Sequence, residues 1–281
     1  LKGIEAAAAA GIVAGQADKI LEVISSVTDA DKAAIRTYLD THEIQVRPAE
    51  SDIIFDIILT LRAGASYVKL RISNYHTNIV HAEKNGRVLL EAGHTAEHIQ
   101  ASTLTDRSCM SIEGILDFVE TMDIDDVREL IERQISYNSK IAQAGIEENW
   151  GANVGSVLLH HYGNDVKIRA RAMAAAGSDA RMSGCELPVI IVSGSGNQGI
   201  TASVPVIEYA KELGVSHDKM IQAVTLSDLI TIHLKTGIGR LSAYCGAVSA
   251  GCAAGAAIAW LQGGKYDEVA HTLVNSLATV S

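Results

Sequence analysis

Residues 43–92 decide the fold class, because strand-like segments follow one another there: EIQVRP (43–48), DIIFDIILTL (52–61), SYVKLRIS (66–73), TNIVHAEK (77–84) and RVLLEA (87–92). Ile, Val and Tyr alternate with polar residues in these segments, which is typical of β-strands. Lys84, Asn85 and Gly86 lie at the junction of the last two, and an Asn-Gly pair supplies the positive φ that a tight hairpin needs. We therefore predict a small antiparallel sheet.

Helical patterns lie on both sides of this stretch. Residues 1–40 show helical periodicity, with Ile20, Leu21, Val23 and Ile24 on one side of a helix. From Ser108 onwards helical patterns continue almost without interruption. Strands and helices that are segregated along a chain favour an α+β fold over alternating βαβ units. We predict a predominantly helical α+β protein with three parts: an N-terminal helical segment (1–40), a small β-rich subdomain (41–107) and a helical catalytic-type domain (108–281).

The composition excludes some classes of function. The 281 residues carry 23 Lys and Arg against 33 Asp and Glu, a net charge of −10, so a nucleic-acid-binding protein is not expected. Aromatic residues make up only 4%, whereas there are 24 glycines and many alanines. This composition predicts helices that pack closely through small side chains. Such helices also suit a subunit interface, so a homodimer is a further expectation.

Residues 243–261 are 19 consecutive residues without a charge, the length of a membrane span. Because most of them are Ala and Gly, which gain little from hydrocarbon, we predict a buried helix and no membrane association. Residues 1–15 contain no signal-peptide pattern. The cysteines form no CxxC motif, which indicates reduced thiols and a cytoplasmic protein.

A glycine-rich segment is the strongest candidate site. We call residues 193–199 the glycine segment; it consists of Ser193, Gly194, Ser195, Gly196, Asn197, Gln198 and Gly199. It follows a short apolar run and precedes a predicted helix, so its amides are expected to bind a carboxylate or phosphate. A glycine turn between two packed elements is the alternative. The segment also matches the nucleotide fingerprint G-x-G-x-x-G, but the surrounding βαβ unit of that motif is missing.

Three other groups of residues allow more than one interpretation. His94, Glu97 and His98 match the zinc motif H-x-x-E-H, although a solvated connection suits this polar stretch better. His76, Thr77 and Asn78 precede a strand and either line a cleft or complete a turn. Cys245 and Cys252 lie about 10 Å apart along one helix, too far for a single small metal centre. If either thiol binds a metal, its partner ligands lie elsewhere in the fold. The alternative, which we predict from composition, is that both cysteines are buried as small apolar residues.

Four motifs together resemble a known family. DARM (179–182), SGSGNQGITASVPV (193–206), RLSAYC (240–245) and HTNIVHAEKNG (76–86) are similar to the L-cysteine desulfidase family, relatives of the iron-sulfur L-serine dehydratase alpha domain. The resemblance covers essentially the whole chain. It implies a cytoplasmic lyase with a 4Fe-4S cluster and no pyridoxal phosphate. In such a lyase three thiolates hold the cluster, and α,β-elimination of L-cysteine or L-serine gives pyruvate, ammonia and sulfide or water.

The resemblance also assigns roles to particular residues. It implies that Cys245 is one cluster ligand, that the glycine segment holds the substrate carboxylate, and that residues 76–78 line the cleft. The family's N-terminal Cys-Thr-Glu-Pro motif and two further cluster cysteines have no match in this chain. We therefore expect the cluster in a parent protein rather than in this chain, which would itself be inactive, with the catalytic residue unknown. Two other functions stay open: a nucleotide- or anion-binding protein that uses residues 194–199, and an inactive scaffold paralogue.

Overall fold

The computed structural model describes residues 3–92, 105–238 and 245–279. It divides into two compact units. The sheet unit contains Gly3–Val23 and Asp29–Asp106, and the helical unit consists mainly of Arg107–Ser281. The N-terminal helices share a unit with the sheet, and the division into three parts stays a prediction. A small antiparallel sheet beside a large set of helices confirms the predicted α+β class.

The sheet is a four-stranded antiparallel meander in the order β1-β2-β3-β4. Its strands are β1 (Asp56–Ala63), β2 (Ser66–Ser73), β3 (Ile79–Lys84) and β4 (Arg87–Glu91). The predicted hairpin between β3 and β4 is confirmed, with φ of 51° at Asn85 and 81° at Gly86. The Asn85 side chain also accepts a hydrogen bond from the Tyr67 amide, which fixes the turn to β2. Residues 43–48 form no strand, a correction to the prediction; Pro48 there cannot donate to a ladder.

Much of the apolar surface of the sheet is exposed. Apolar strand residues that are 40–61% exposed are Ile57, Ile58, Leu59, Leu61, Val68, Ile79, Val88, Leu89 and Leu90. A charged pair occupies a more protected position: Arg71 donates two hydrogen bonds of 2.8 Å to Asp56, whose side chain is only 2% exposed. Within the described residues, β1 and β4 each pair with a strand on one side only. The hydrogen-bond ladder and this ion pair therefore contribute much of the order of the sheet.

Two helices precede the sheet, α1 (Ile4–Val13) and α2 (Asp29–Thr41). The predicted helical face at residues 20–24 is wrong. Residues 17–22 form a short 3-10 segment in which Ile20 has a positive φ of 50° and is 67% exposed. The Gln16 amide donates to the carbonyl of Val23 and closes this segment into a loop. The apolar residues there consequently do not share one helical face.

The helical unit confirms the predicted run of helices. In chain order they are α3 (Ile112–Thr121), α4 (Asp125–Glu147), α5 (Val154–Tyr162), α6 (Val166–Met182), α7 (Gly196–Glu212), α8 (His217–Thr236), α9 (Gly246–Leu261) and α10 (Tyr266–Ala278). Its main core is formed by buried aliphatic residues of α7 and α8, such as Ile207 and Leu226, against the alanines of α9. The predicted buried helix within residues 243–261 is therefore confirmed. In the part of the chain that is described, no helix has both the length and the apolarity needed to cross a membrane.

Small residues bring helix backbones into direct contact, as the composition predicted. A Cβ atom on Gly145 of α4 would overlap the carbonyl of Ala176 in α6, and one on Gly155 of α5 would overlap the carbonyl of Ala172. A side chain at either glycine would force the helices apart. This close packing fixes the helix positions on which the candidate site depends.

Candidate functional site

The glycine segment is divided between a short turn and the start of a helix. Val192 and Ser195 pair in an isolated antiparallel bridge, and the turn between them has positive φ at Ser193 (48°) and Gly194 (93°). Helix α7 begins at Gly196. The predicted loop is therefore shorter than expected, because residues 196–199 form the first turn of α7.

The first turn of α7 presents amide groups at its end. The Ser195 hydroxyl accepts a hydrogen bond from the Gln198 amide at 3.5 Å and so caps the helix. The amides of Gly196 and Asn197 have no acceptor within the helix, as is general for the first helical residues. The helix dipole adds a partial positive charge at the same end. This arrangement favours a bound anion.

Two of the glycines also allow close contact with the protein itself. A Cβ atom on Gly196 would overlap the guanidinium of Arg181, and one on Gly199 would overlap the carbonyl of Ile190. Asn138 of α4 holds Ile190 in place, since its amide exchanges hydrogen bonds of 2.9 and 3.2 Å with the backbone of that residue. The close packing expected of a glycine turn between two packed elements is thus present at Gly196 and Gly199.

Helices α7 and α9 run parallel, and their N-termini lie side by side. A Cβ atom on Gly246 would overlap the Gln198 side chain, and one on Gly251 would lie 3.9 Å from Cγ2 of Thr201. Residue numbers therefore increase together along the two helices. Cys245 is the N-cap residue of α9 and is exposed. The structure thus places Cys245 at the same end of the helical unit as the glycine segment.

A positive side chain lies beside this end. The guanidinium of Arg181, at the end of α6, packs on Gly196 and donates a hydrogen bond of 3.3 Å to Oδ1 of Asn197. Burial lowers the pKa of Arg181, although an arginine stays charged at neutral pH. Among the described residues no carboxylate pairs with it. Arg181 therefore adds an unneutralised positive charge to the N-terminus of α7.

Gln198 is a fully buried polar residue at the N-terminus of α7. Its side chain is fully buried, and neither Nε2 nor Oε1 has a hydrogen-bond partner in the described part of the chain. Thr231 of α8 is similar, with a buried hydroxyl that lacks a partner there. Ser227, one turn before Thr231, donates to the carbonyl of Ala202 in α7 at 2.7 Å. Since α8 returns antiparallel to α7, Thr231 and the buried Lys235 lie further towards the N-terminus of α7.

One buried carboxyl group lies deeper in the same helical packing. Gln134 of α4 donates a hydrogen bond of 3.0 Å to Asp228 of α8. Desolvation raises the pKa of Asp228 to about 7, while part of the residue's surface remains open to solvent. Asp228 is thus neutral for part of the population near pH 7.

Residues 76–78 lie in the sheet unit, in the turn between β2 and β3. Nδ2 of Asn78 donates to the carbonyl of Ser73 at 2.9 Å, and the His76 ring packs against Phe55 with its centroid 4.8 Å away. Asn78 therefore completes a turn. The glycine segment and Cys245 belong to the helical unit instead.

The remaining cysteine and metal predictions have different outcomes. Cys252 is buried in the main core, as predicted, and burial raises its pKa. Cys245 is exposed, so the prediction that it is buried is wrong; it precedes the first turn of α9 instead of packing inside it. His94, Glu97 and His98 lie outside the described residues. Within those that are described, no three His, Cys, Asp or Glu side chains are grouped as metal ligands.

Sequence reasoning missed several residues of this end. Arg181 lies in the DARM motif, and an arginine shortly before the glycine segment is a signal for an anion site. Asn138 and Thr231 gave no signal, because they are single polar residues in helical patterns. Their contribution depends on which helices pack together.

Comparison with known proteins identifies relatives over the whole chain. The family described as serine dehydratase alpha chain matches residues 18–281. The chain is 62% identical to a UPF0597 protein of Desulfitobacterium hafniense, 49% to one of Lachnoclostridium phytofermentans and 42% to one of Treponema denticola. All of this chain is matched in each case, and it spans 65–67% of the length of those relatives. No solved structure matches it.

Proposed function

Since the chain belongs to the serine dehydratase alpha-chain family, we propose that the protein is a dehydratase-type lyase acting on a small amino acid. The reaction is an α,β-elimination without pyridoxal phosphate, and the substrate is L-cysteine or L-serine. A cytoplasmic location is part of the same proposal. The resemblance to the L-cysteine desulfidase family and its serine dehydratase relatives is supported by the family match, while the choice between the two substrates is open to experiment.

The observation that carries the proposal is the pair of parallel helix N-termini beside Arg181. Two helix dipoles with their positive ends together favour an anion, and the guanidinium adds a full positive charge. The carboxylate of an amino acid is an anion of suitable size for such a place. Amides of the glycine segment and the side chain of Asn197 supply donors. We therefore assign substrate carboxylate binding to this end of the helical unit.

Carboxylate binding contributes to the elimination itself. The reaction removes the α-proton and the β-hydroxyl or β-thiol, which leaves 2-aminoacrylate and water or sulfide. Addition of one water to 2-aminoacrylate then releases ammonia and leaves pyruvate. Negative charge develops next to the carboxylate when the α-proton leaves. Positive groups that are already in place lower the free energy of that charged state.

The described residues do not fit a complete iron-sulfur cluster. A 4Fe-4S cluster with one open iron takes three thiolates from the protein. Cys245 lies at the N-terminus of α9, and no group of three metal-ligating side chains exists among the described residues. Cys252 is in the core and is remote from solvent. A cluster in the whole protein is therefore part of the proposal, and we assign no step of the reaction to it.

The experiment is an activity assay on the full-length protein, prepared without oxygen. We expect pyruvate from L-serine or L-cysteine, with sulfide as a second product from L-cysteine. Arg181→Gln should raise KM at least tenfold through the loss of a charged hydrogen bond to the carboxylate. Arg128→Gln is the matched control, because Arg128 is a half-buried residue of α4 that pairs with Asp125 and Asp218.

Other results would contradict the proposal. If the full-length protein releases no pyruvate from either amino acid, it is not a lyase of this kind. Thermal stabilisation by nucleotides without such turnover would favour the anion-binding alternative. Absence of both responses would favour the scaffold paralogue.

A further inference from the structure

We propose that Gln198 determines specificity for an α-amino acid, by binding the substrate's ammonium group through Oε1 and its carboxylate through Nε2. The inference rests on the proposed function for the identity of the ligand, a small amino acid. It adds a residue that distinguishes the zwitterion from a simple carboxylate. Gln198 acts here as a binding residue, and no covalent step is assigned to it.

The first evidence is the unmet hydrogen-bonding capacity of the side chain. A glutamine amide has two N–H donors on Nε2 and an acceptor on Oε1. In Gln198 none of this capacity is used within the described residues, although the side chain is fully buried. Buried polar groups are satisfied in the large majority of cases, so an orphaned amide needs an explanation. A ligand with both a donor and an acceptor would supply it.

The second evidence is the position of the side chain between two helix starts. Gln198 is the third residue of α7, and its amide group abuts Gly246, the first residue of α9. A side chain at position 246 would occupy the space that the Gln198 amide now fills. The glutamine is therefore directed towards the N-terminus of α9, at the end where the Arg181 charge also lies.

The chemistry of the surroundings explains why an acceptor is needed. Helix N-termini and Arg181 supply donors and positive charge, which suit a carboxylate but repel an ammonium group. An ammonium group has three N–H donors and no acceptor. Oε1 of Gln198 is a neutral acceptor at this positive end, and Oγ1 of Thr231 is a second buried oxygen of α8. The ammonium group of the substrate is thereby accommodated beside its carboxylate.

The test compares two ligands that differ only at the α-carbon. L-Serine carries the ammonium group, and 3-hydroxypropanoate lacks it. Binding to the full-length protein is measured by calorimetry for wild type, Gln198→Met and Gln143→Met. Methionine keeps the approximate shape of glutamine and removes the donor and the acceptor. Gln143 is a matched control on the exposed side of α4, where it donates to Glu147 at 2.7 Å.

We expect wild type and Gln143→Met to bind L-serine about 10- to 100-fold more tightly than 3-hydroxypropanoate. Gln198→Met should lose this preference. Without ligand, the melting temperature of Gln198→Met should be no lower than that of wild type, and we expect an increase of up to about 4 °C. The reason is that the variant no longer buries an amide without hydrogen-bond partners. A residue with a merely structural role would instead lower the melting temperature and leave the ligand preference unchanged.

The outcomes separate this inference from the proposed function. Loss of preference in Gln198→Met without any pyruvate release by wild type would support the inference and contradict the lyase assignment. Pyruvate release by wild type together with an unchanged ligand preference in Gln198→Met would support the lyase assignment and contradict the inference about Gln198. Failure of wild type to bind L-serine, or equal binding of both ligands by wild type, would overturn the inference.

Discussion

The helical unit and the sheet unit are ordered by different interactions. In the helical unit the largest core is aliphatic and alanine-rich, and helix backbones touch at positions such as Gly145 and Gly155. In the sheet unit many apolar side chains are exposed, and the ion pair of Asp56 with Arg71 takes a protected position. Close packing constrains side-chain positions more tightly than a ladder of backbone hydrogen bonds does. This difference explains why the candidate site lies where helices meet.

The largest expected effect comes from the same Ile-to-Ala substitution made once in the helical unit and once in the sheet unit. Ile207 in α7 is fully buried, so Ile207→Ala should lower the free energy of unfolding of the helical unit by about 4 kcal/mol. Ile58 in β1 is 45% exposed, and Ile58→Ala should cost less than about 1 kcal/mol. Urea unfolding followed by hydrogen exchange in each unit measures both changes. Equal losses would mean that the sheet has a packed interior after all.

The second prediction concerns the ion pair of Arg71 with Asp56 in the sheet unit. Arg71→Met leaves the buried Asp56 carboxylate without its cation, and the sheet unit should lose about 3 kcal/mol of stability. Asp56 holds the pKa of Arg71 above its ordinary value, so the pair is fully charged at neutral pH. Arg62→Met is the control, because Arg62 in β1 is exposed. Similar exchange rates of the β1 and β2 amides in both variants would contradict the role of the pair.

The buried carboxyl of α8 adds a pH dependence to the helical unit. The pKa of Asp228 is raised to about 7 in the folded protein, above its ordinary value of 3.8. Between pH 4 and 7 the folded state holds a proton that the unfolded chain has lost, so stability falls as pH rises through this interval. Asp228→Asn, which keeps an acceptor for Gln134, should be more stable than wild type by about 4 kcal/mol at pH 8 and nearly equal to it near pH 4.

Thermal melts from pH 4 to 8 measure this effect. Asp117→Asn is the control, because Asp117 lies on an exposed side of α3. If the wild-type melting temperature does not fall relative to that of Asp228→Asn between pH 4 and 7, the Asp228 carboxyl does not cause the pH dependence of stability.

The smallest expected change concerns glycines that differ only in their surroundings. Nothing lies within 4 Å of a Cβ atom on Gly11 of α1, so Gly11→Ala should stabilise the sheet unit by about 0.5–1 kcal/mol through helix propensity. In Gly145→Ala the new Cβ would meet the carbonyl of Ala176, and the helical unit should be destabilised. Thermal melts of the two variants should shift in opposite directions. A shift in the same direction would show that backbone contact is not what selects Gly145.

Local patterns in the sequence predicted much of the fold. The strand at residues 66–73 and the buried helix within 243–261 both follow from periodicity and composition. The same reasoning failed at Ile20, where a closed loop rather than a helix determines the backbone, and at residues 43–48. The orphaned amide of Gln198 and the position of Arg181 depend on contacts between helices distant in sequence. Periodicity carries no information about such contacts.

The exposed edges of the meander have a consequence for handling the protein. β1 and β4 are rich in Ile, Val and Leu, and within the described residues each is an edge strand that is hydrogen-bonded to another strand on one side only. Such an edge is a template for strand addition between molecules. Charged residues such as Arg62 and Arg87 in these strands oppose that growth, as gatekeepers do in other β-proteins. Neutralising them should make the protein aggregate at lower concentrations than wild type.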